Sequence, residues 1–160
     1  MSKLFNLQNK NVLLTGASKG MGLAMAKGLV SHGANVVISS RKLDQCEKAT
    51  DVINESVGQE KAFAFACNAS SKDELNALVD FSMSKLGSIT TLVCNAGVNS
   101  FFGSMSEIDD ESYDKTMDTN VKSNHWLINM VTPSMKESGG GSIMITSSIA
   151  AFHASETLGT

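Results

Sequence analysis

The chain has 160 residues and a formal net charge of −3, so it lacks the basic excess that nucleic acid or an anionic membrane surface demands. With 42% hydrophobic and 18% charged residues it can bury an ordinary core. That excludes a disordered chain, and the length suits a single domain spanning 1–160. No apolar run approaches the ~20 residues of a membrane span, and the first ten residues hold no continuous apolar stretch of a secretory signal.

Short β-rich runs alternate with longer helical patterns. Strands are expected over 11–15, 35–39, 61–66, 90–94 and 142–146, where near-continuous apolar stretches imply cover on both faces, as in a parallel sheet. The first helix is expected over 21–32. The second, 43–57, carries Cys46, Ala49, Ile53 and Val57 on one stripe. The third, 72–86, opens on a capping box in which the Ser71 hydroxyl and the Glu74 carboxylate satisfy exposed helix N–H groups. The fourth, 111–136, aligns Tyr113, Met117, Val121, Ile128, Val131 and Met135; Pro133 kinks its last turn and Gly139, Gly140 and Gly141 form the exit. This alternation predicts right-handed βαβ units and a doubly wound α/β parallel sheet of Rossmann type, with helices on both faces. Cys46, Cys67 and Cys94 show no CxxC spacing and read as free buried thiols of a reducing compartment, which suits a soluble cytoplasmic protein.

The most informative segment lies where the first strand turns into the first helix: Thr15, Gly16, Ala17, Ser18, Lys19, Gly20, Met21 and Gly22. A pyrophosphate needs close approach of bare backbone, together with the free N–H groups and partial positive charge of a helix N-terminus. Gly16 suits the tight turn, Gly20 the close approach and Gly22 the packing of helix on strand, with Ser18, Lys19 and Met21 completing the loop. There is neither the Gly-Lys-Ser/Thr of a P-loop nor the G-x-G-x-x-G of the common dinucleotide fingerprint.

The spacing Gly16-x-x-x-Gly20-x-Gly22 resembles the glycine motif of short-chain dehydrogenases/reductases. The likeness continues in order through Asn95-Ala96-Gly97 after the fourth strand, Asn120 on the fourth helix and Thr146-Ser147-Ser148 after the fifth strand. It is general to the family and includes the 3-oxoacyl carrier-protein reductases. The resemblance implies an oxidoreductase that moves a hydride between a nicotinamide cofactor and a carbonyl or secondary alcohol, working as a homo-oligomer, a dimer or tetramer. It also implies that the Asn95, Ala96 and Gly97 turn braces the sheet beside the adenosine ribose, and it places Thr146 among the cofactor-binding residues.

Charge indicates the cofactor. An NAD-selective site places a carboxylate near the end of the second strand for the ribose 2′-hydroxyl. Here that strand ends Ser39-Ser40-Arg41, with no acid before Asp44. Arg41 and Lys19 are the cations suited to a 2′-phosphate, with Ser40 beside them, so NADP(H) is expected. The missing acid also disfavours a methyltransferase on a similar sheet. Where the family often has an adenine-contacting aspartate, this chain has Asn68, followed by Ala69; an amide can still donate to and accept from adenine.

For catalysis the resemblance assigns Ser148 to polarising the carbonyl, with Ser147 as runner-up, and Asn120 to orienting a water in the proton relay. Asn120 falls on the apolar face of its helix, where a buried amide requires a partner. The family's Tyr-x-x-x-Lys pair is expected immediately beyond Thr160, and the flanking C-terminal strands with it. The domain therefore reads as C-terminally incomplete and inactive by itself; a nucleotide-binding or interaction protein without catalysis is the alternative. Tyr113 belongs to the packing stripe, no histidine has a metal or triad constellation, and His125 stands isolated. Phe101, Phe102 and Phe152 suit either an apolar pocket mouth or the core.

Overall fold

The computed structural model describes residues 5–153 and 157; the first four residues and most of the segment after His153 lie outside the described residues. Five parallel strands form one sheet in the order β3-β2-β1-β4-β5. They are β1 (Asn11–Thr15), β2 (Asn35–Ser40), β3 (Ala62–Ala66), β4 (Thr91–Cys94) and β5 (Ser142–Ile145). The intervening helices are α1 (Gly20–Ser31), α2 (Leu43–Val57), α3 (Lys72–Leu86), α4 (Asp110–Met117) and α5 (Ser123–Glu137).

Successive strand residues point to opposite faces, and each face carries its own core. Val12, Leu14, Val36 and Ile38 pack with Ala26 and Val30 of α1 and Cys46 and Ile53 of α2. Leu13, Val37 and Leu92 pack on the other face with Leu75 and Leu78 of α3 and Leu127 and Val131 of α5. The sheet is thus doubly wound, as its pattern predicts, and all three cysteines are free and buried.

Three local expectations need correction. The fourth helix is broken by a π-helical segment, Asp118–Lys122, in which the Ser123 N–H reaches Asp118 O. One extra residue in a turn rotates everything upstream by about 100°. The exposed residues are consequently Tyr113 (42%), Met117 (38%) and Val121 (54%), while Thr116, Thr119, Ser123 and Asn124 turn inward. Leu127, Val131 and Met135, beyond the insertion, remain in the core. Second, β5 is not covered on both faces: Ile143, Met144 and Ile145 are 40%, 48% and 53% exposed, because β5 pairs with β4 at the sheet edge. Third, the capping box is half formed. Ser71 Oγ accepts the Glu74 N–H, but the Glu74 carboxylate accepts the N–H of Asn68 at 2.7 Å rather than that of Ser71. The Ser71 N–H is already bonded to Asn68 O.

Candidate functional site

The connections that leave the neighbouring strands β1 and β4 lead to opposite faces of the sheet, with α1 packed on one and α5 on the other. At such a switch point the two chain exits diverge and leave a crevice beyond the carboxyl ends of the strands. A pocket of about 510 Å³ opens there.

Its lining follows the strand exits. From β1 come Gly16, Ser18 and Lys19, and from β2 Ser40, Arg41, Lys42 and Gln45. The exit of β3 adds Cys67, Asn68, Ala69 and Ser70, that of β4 adds Asn95, Ala96, Gly97 and Val98, and Lys115 and Thr119 close the helical side. Most of the residues expected to hold a cofactor therefore meet in one cavity. Gly20, Met21, Gly22 and Thr146 do not line it. Met21 is exposed, and Gly22 is buried beneath the turn.

Two glycines explain how the turn is built. Gly16 has φ +66, a left-handed conformation, and a Cβ there would come within 2.7 Å of Ala96 Cα. Gly22 lies beneath it: an added Cβ would collide with Gly16 O and sit 2.7 Å from Ala17 Cα. α1 starts with no side-chain cap and no acidic residue in its first turn, so its leading N–H groups remain open to an anion.

Asn95 locks three strand ends together. Its Nδ2 donates to Thr15 O at 3.1 Å and Gly16 O at 2.9 Å, while its Oδ1 accepts from Thr146 Oγ1 at 3.3 Å. Thr15 Oγ1 in turn accepts the N–H groups of Asn95 and Ala96. The turn's shape is thereby fixed by bonds to β4 and β5. On the other side, Ser40 Oγ and Cys46 Sγ share a hydrogen bond of 3.1 Å. The Asn68 Oδ1 accepts from Ser70 Oγ at 2.9 Å and from the Ser70 N–H.

Among the described residues, Lys19, Arg41, Lys42 and Lys115 are the charged ones of the lining, and none of the others is a carboxylate. Burial pushes the Cys67 thiol up to about 12, and the Glu74 carboxylate adds to the rise. Burial likewise raises Cys94 to about 11, and raises Cys46 against the opposing hydrogen bond from Ser40. These thiols are therefore neutral at physiological pH and act as apolar packing rather than as nucleophiles.

Asn120 and Ser148 lie outside the pocket lining. The Asn120 side chain pairs with one backbone unit: Oδ1 accepts the Val98 N–H and Nδ2 donates to Val98 O, both at 2.8 Å. This satisfies the partner that a half-buried amide requires and ties the loop after β4 to the π segment. The Asn120 carbonyl accepts from Asn124 Nδ2 at 2.7 Å. Ser148 is exposed after β5, and its hydroxyl caps a short 3-10 turn by accepting the Ala150 N–H at 3.2 Å. Among the described residues, Asn120 and Ser148 share no hydrogen bond.

Sequence reasoning missed Lys42, Gln45, Lys115 and Thr119. Lys115 and Thr119 are four apart, on one helical face, and reach the cavity because of the π insertion that the periodicity did not reveal. Phe102 and Phe152 are exposed, so neither is a core residue. His125 is not isolated: its Nε2 meets Asn129 Nδ2 at 3.0 Å.

Residues 10–159 match the family model described as short chain dehydrogenase. The chain is 38% identical over 153 residues to human "Dehydrogenase/reductase SDR family member 4", covering 95% of this chain and 54% of that protein. A solved structure of 7α-hydroxysteroid dehydrogenase with NADH and 7-oxo glycochenodeoxycholic acid superposes with a TM-score of 0.89 at 34% identity, over 95% of this chain and 58% of that one. The 3-ketoacyl-(acyl-carrier-protein) reductase of Brucella melitensis, complexed with NADH, gives a TM-score of 0.89 at 29% identity, over 96% of this chain and 63% of its own. The chain spans about half the length of the curated relatives it matches.

Proposed function

The chain belongs to the short chain dehydrogenase family, and from that premise we propose that it forms the nucleotide-binding part of an NADP(H)-dependent oxidoreductase. The observation carrying this reading is the cavity at the switch point, walled by the glycine turn and, among the described residues, by four cations and no carboxylate. A polyanionic ligand suits such a wall, and the open N-terminus of α1 suits its pyrophosphate.

Preference for NADP(H) over NAD(H) rests on Arg41 and Lys19. A carboxylate at the end of β2 would hold a ribose 2′-hydroxyl, whereas this chain offers Ser40 and Arg41 there. Arg41 would grip a 2′-phosphate through its planar fork of donors, with Lys19 opposite as a point charge. Two of the similar structures carry NADH by their descriptions, so this preference depends on the charges of this chain alone.

The bound cofactor would supply or accept the hydride. Of the reacting groups, Ser148 would donate a hydrogen bond to the substrate oxygen, and Asn120 would position a water in the proton path. The substrate class is a carbonyl or secondary alcohol. Within the whole protein we place this domain in a cytoplasmic homo-oligomer, a role that the exposed apolar side chains of Tyr113, Met117 and Val121 suit. Residues 1–160 alone are expected to bind the nucleotide without turning over a carbonyl.

The test is a pair of binding titrations. NADPH should bind tighter than NADH, and Arg41→Asp should invert the order by weakening NADPH about tenfold or more. Tighter binding of NADH to the unmutated protein contradicts the NADP(H) assignment. Assaying the complete protein on a panel of ketones and secondary alcohols then tests the reaction itself.

A further inference from the structure

We infer that Lys115, on α4, is a specificity-determining residue that selects for phosphate charge on the bound nucleotide. The inference rests on the nucleotide reading above and extends it to a residue outside every motif of the sequence.

The chain as a whole is acidic, with 16 Asp and Glu against 13 Lys and Arg. Among the described residues the cavity lining reverses that balance, holding Lys19, Arg41, Lys42 and Lys115 and no acid. Three of these cations belong to the β1 and β2 exits. Lys115 comes from α4 instead, so the cationic lining is drawn from three separate elements of the fold.

Among the described residues the ion pair is Lys122–Asp118, at 3.0 Å, so Asp118, three residues along from Lys115, is engaged elsewhere. Lys115 forms no ion pair among the described residues. The π segment turns Thr119 inward to 7% exposure, and Lys115 lies one turn before it on the same stripe. The side chain of Asn120 holds the base of this stripe to the β4 exit through Val98.

A lysine acting as a point charge gives an effect that scales with ligand charge and is screened by salt. A lysine that merely packs against the adenine ring gives neither. The experiment is calorimetric titration of NADPH, NADH and 2′,5′-ADP into the unmutated chain, Lys115→Met and Lys136→Met, at low and high salt. Lys136, near the C-terminal end of α5, controls for loss of one positive charge. Lys115→Met should weaken NADPH and 2′,5′-ADP about three- to tenfold at low salt, NADH less, and all of them little at high salt. Lys136→Met should bind as the unmutated chain does. Equal affinities for Lys115→Met and the unmutated chain overturn the inference, as does an equal, salt-independent loss for all three ligands. Failure of the unmutated chain to bind any of them overturns the nucleotide reading, and the role of Lys115 falls with it. Unchanged unfolding midpoints for both variants would establish that binding, not folding, was altered.

Discussion

The β1 and β5 ends of the same sheet are built to different standards. Around β1 the strands are buried on both faces, Thr15 and Asn95 bind three strand exits together, and two glycines are packed so closely that no Cβ fits. Around β5 the apolar side chains are exposed, and Ser148 touches little beyond its own 3-10 turn. A rigid cradle suits a pyrophosphate, whose position is set by backbone N–H groups that cannot adjust independently. The β5 end offers Ser148, the serine proposed to meet the substrate oxygen, on a surface that its own sheet does not cover.

Substitutions can sharpen this contrast. Leu92→Ala, at a fully buried position of β4, should cost about 2–5 kcal/mol, whereas Ile145→Ala in neighbouring β5 should cost under about 1 kcal/mol. Urea unfolding of both variants checks this, and equal losses would break the comparison. Within α1, Gly22→Ala should destabilise by roughly 1–3 kcal/mol because its Cβ meets backbone. Gly28→Ala, with open space around it, should stabilise by up to about 1 kcal/mol; thermal melts of the pair give the sign of each. Asn120→Ala strands the Val98 N–H and carbonyl and should cost about 1–3 kcal/mol. Ser148→Ala loses one exposed cap, so its melting temperature should move by less than that of Asn120→Ala.

The smallest effect concerns pH. Cys67 and Cys94 have folded-state values raised from 9.0 to about 12 and about 11. A raised acid favours its protonated form in the folded state, so its contribution is complete below pH 9 and is lost as pH climbs toward 12. Stability should therefore begin to fall above pH 9, and less steeply in Cys67→Ala once its own baseline is subtracted. A curve flat through that window in the unmutated chain would contradict burial as the cause.

What the residues announced in advance was whatever depends on local pattern. The apolar runs of β1 and β2 and the 43–57 and 72–86 helices appear where the periodicity puts them. The Gly16, Lys19, Arg41, Asn68 and Asn95 cluster was readable because strand exits of a doubly wound sheet converge by topology. The π segment was hidden, since one extra residue leaves composition unchanged while it rotates Tyr113, Met117 and Val121 outward. That rotation also concealed Lys115 and Thr119. The exposure of β5 was equally illegible, because an apolar strand at a sheet edge has the same residue pattern as one inside it.

The central claim is that the β1–β4 strand ends bind an adenine dinucleotide while the β5 end does not participate in that grip. Amide chemical shifts of the isotope-labelled 160-residue chain, followed during titration with NADPH, test it directly. The account predicts saturable shifts concentrated at Gly16, Ser18, Gly20, Arg41 and Ala69, with Ile143 and Met144 nearly unmoved. No saturable shift, or shifts centred on β5, would contradict it.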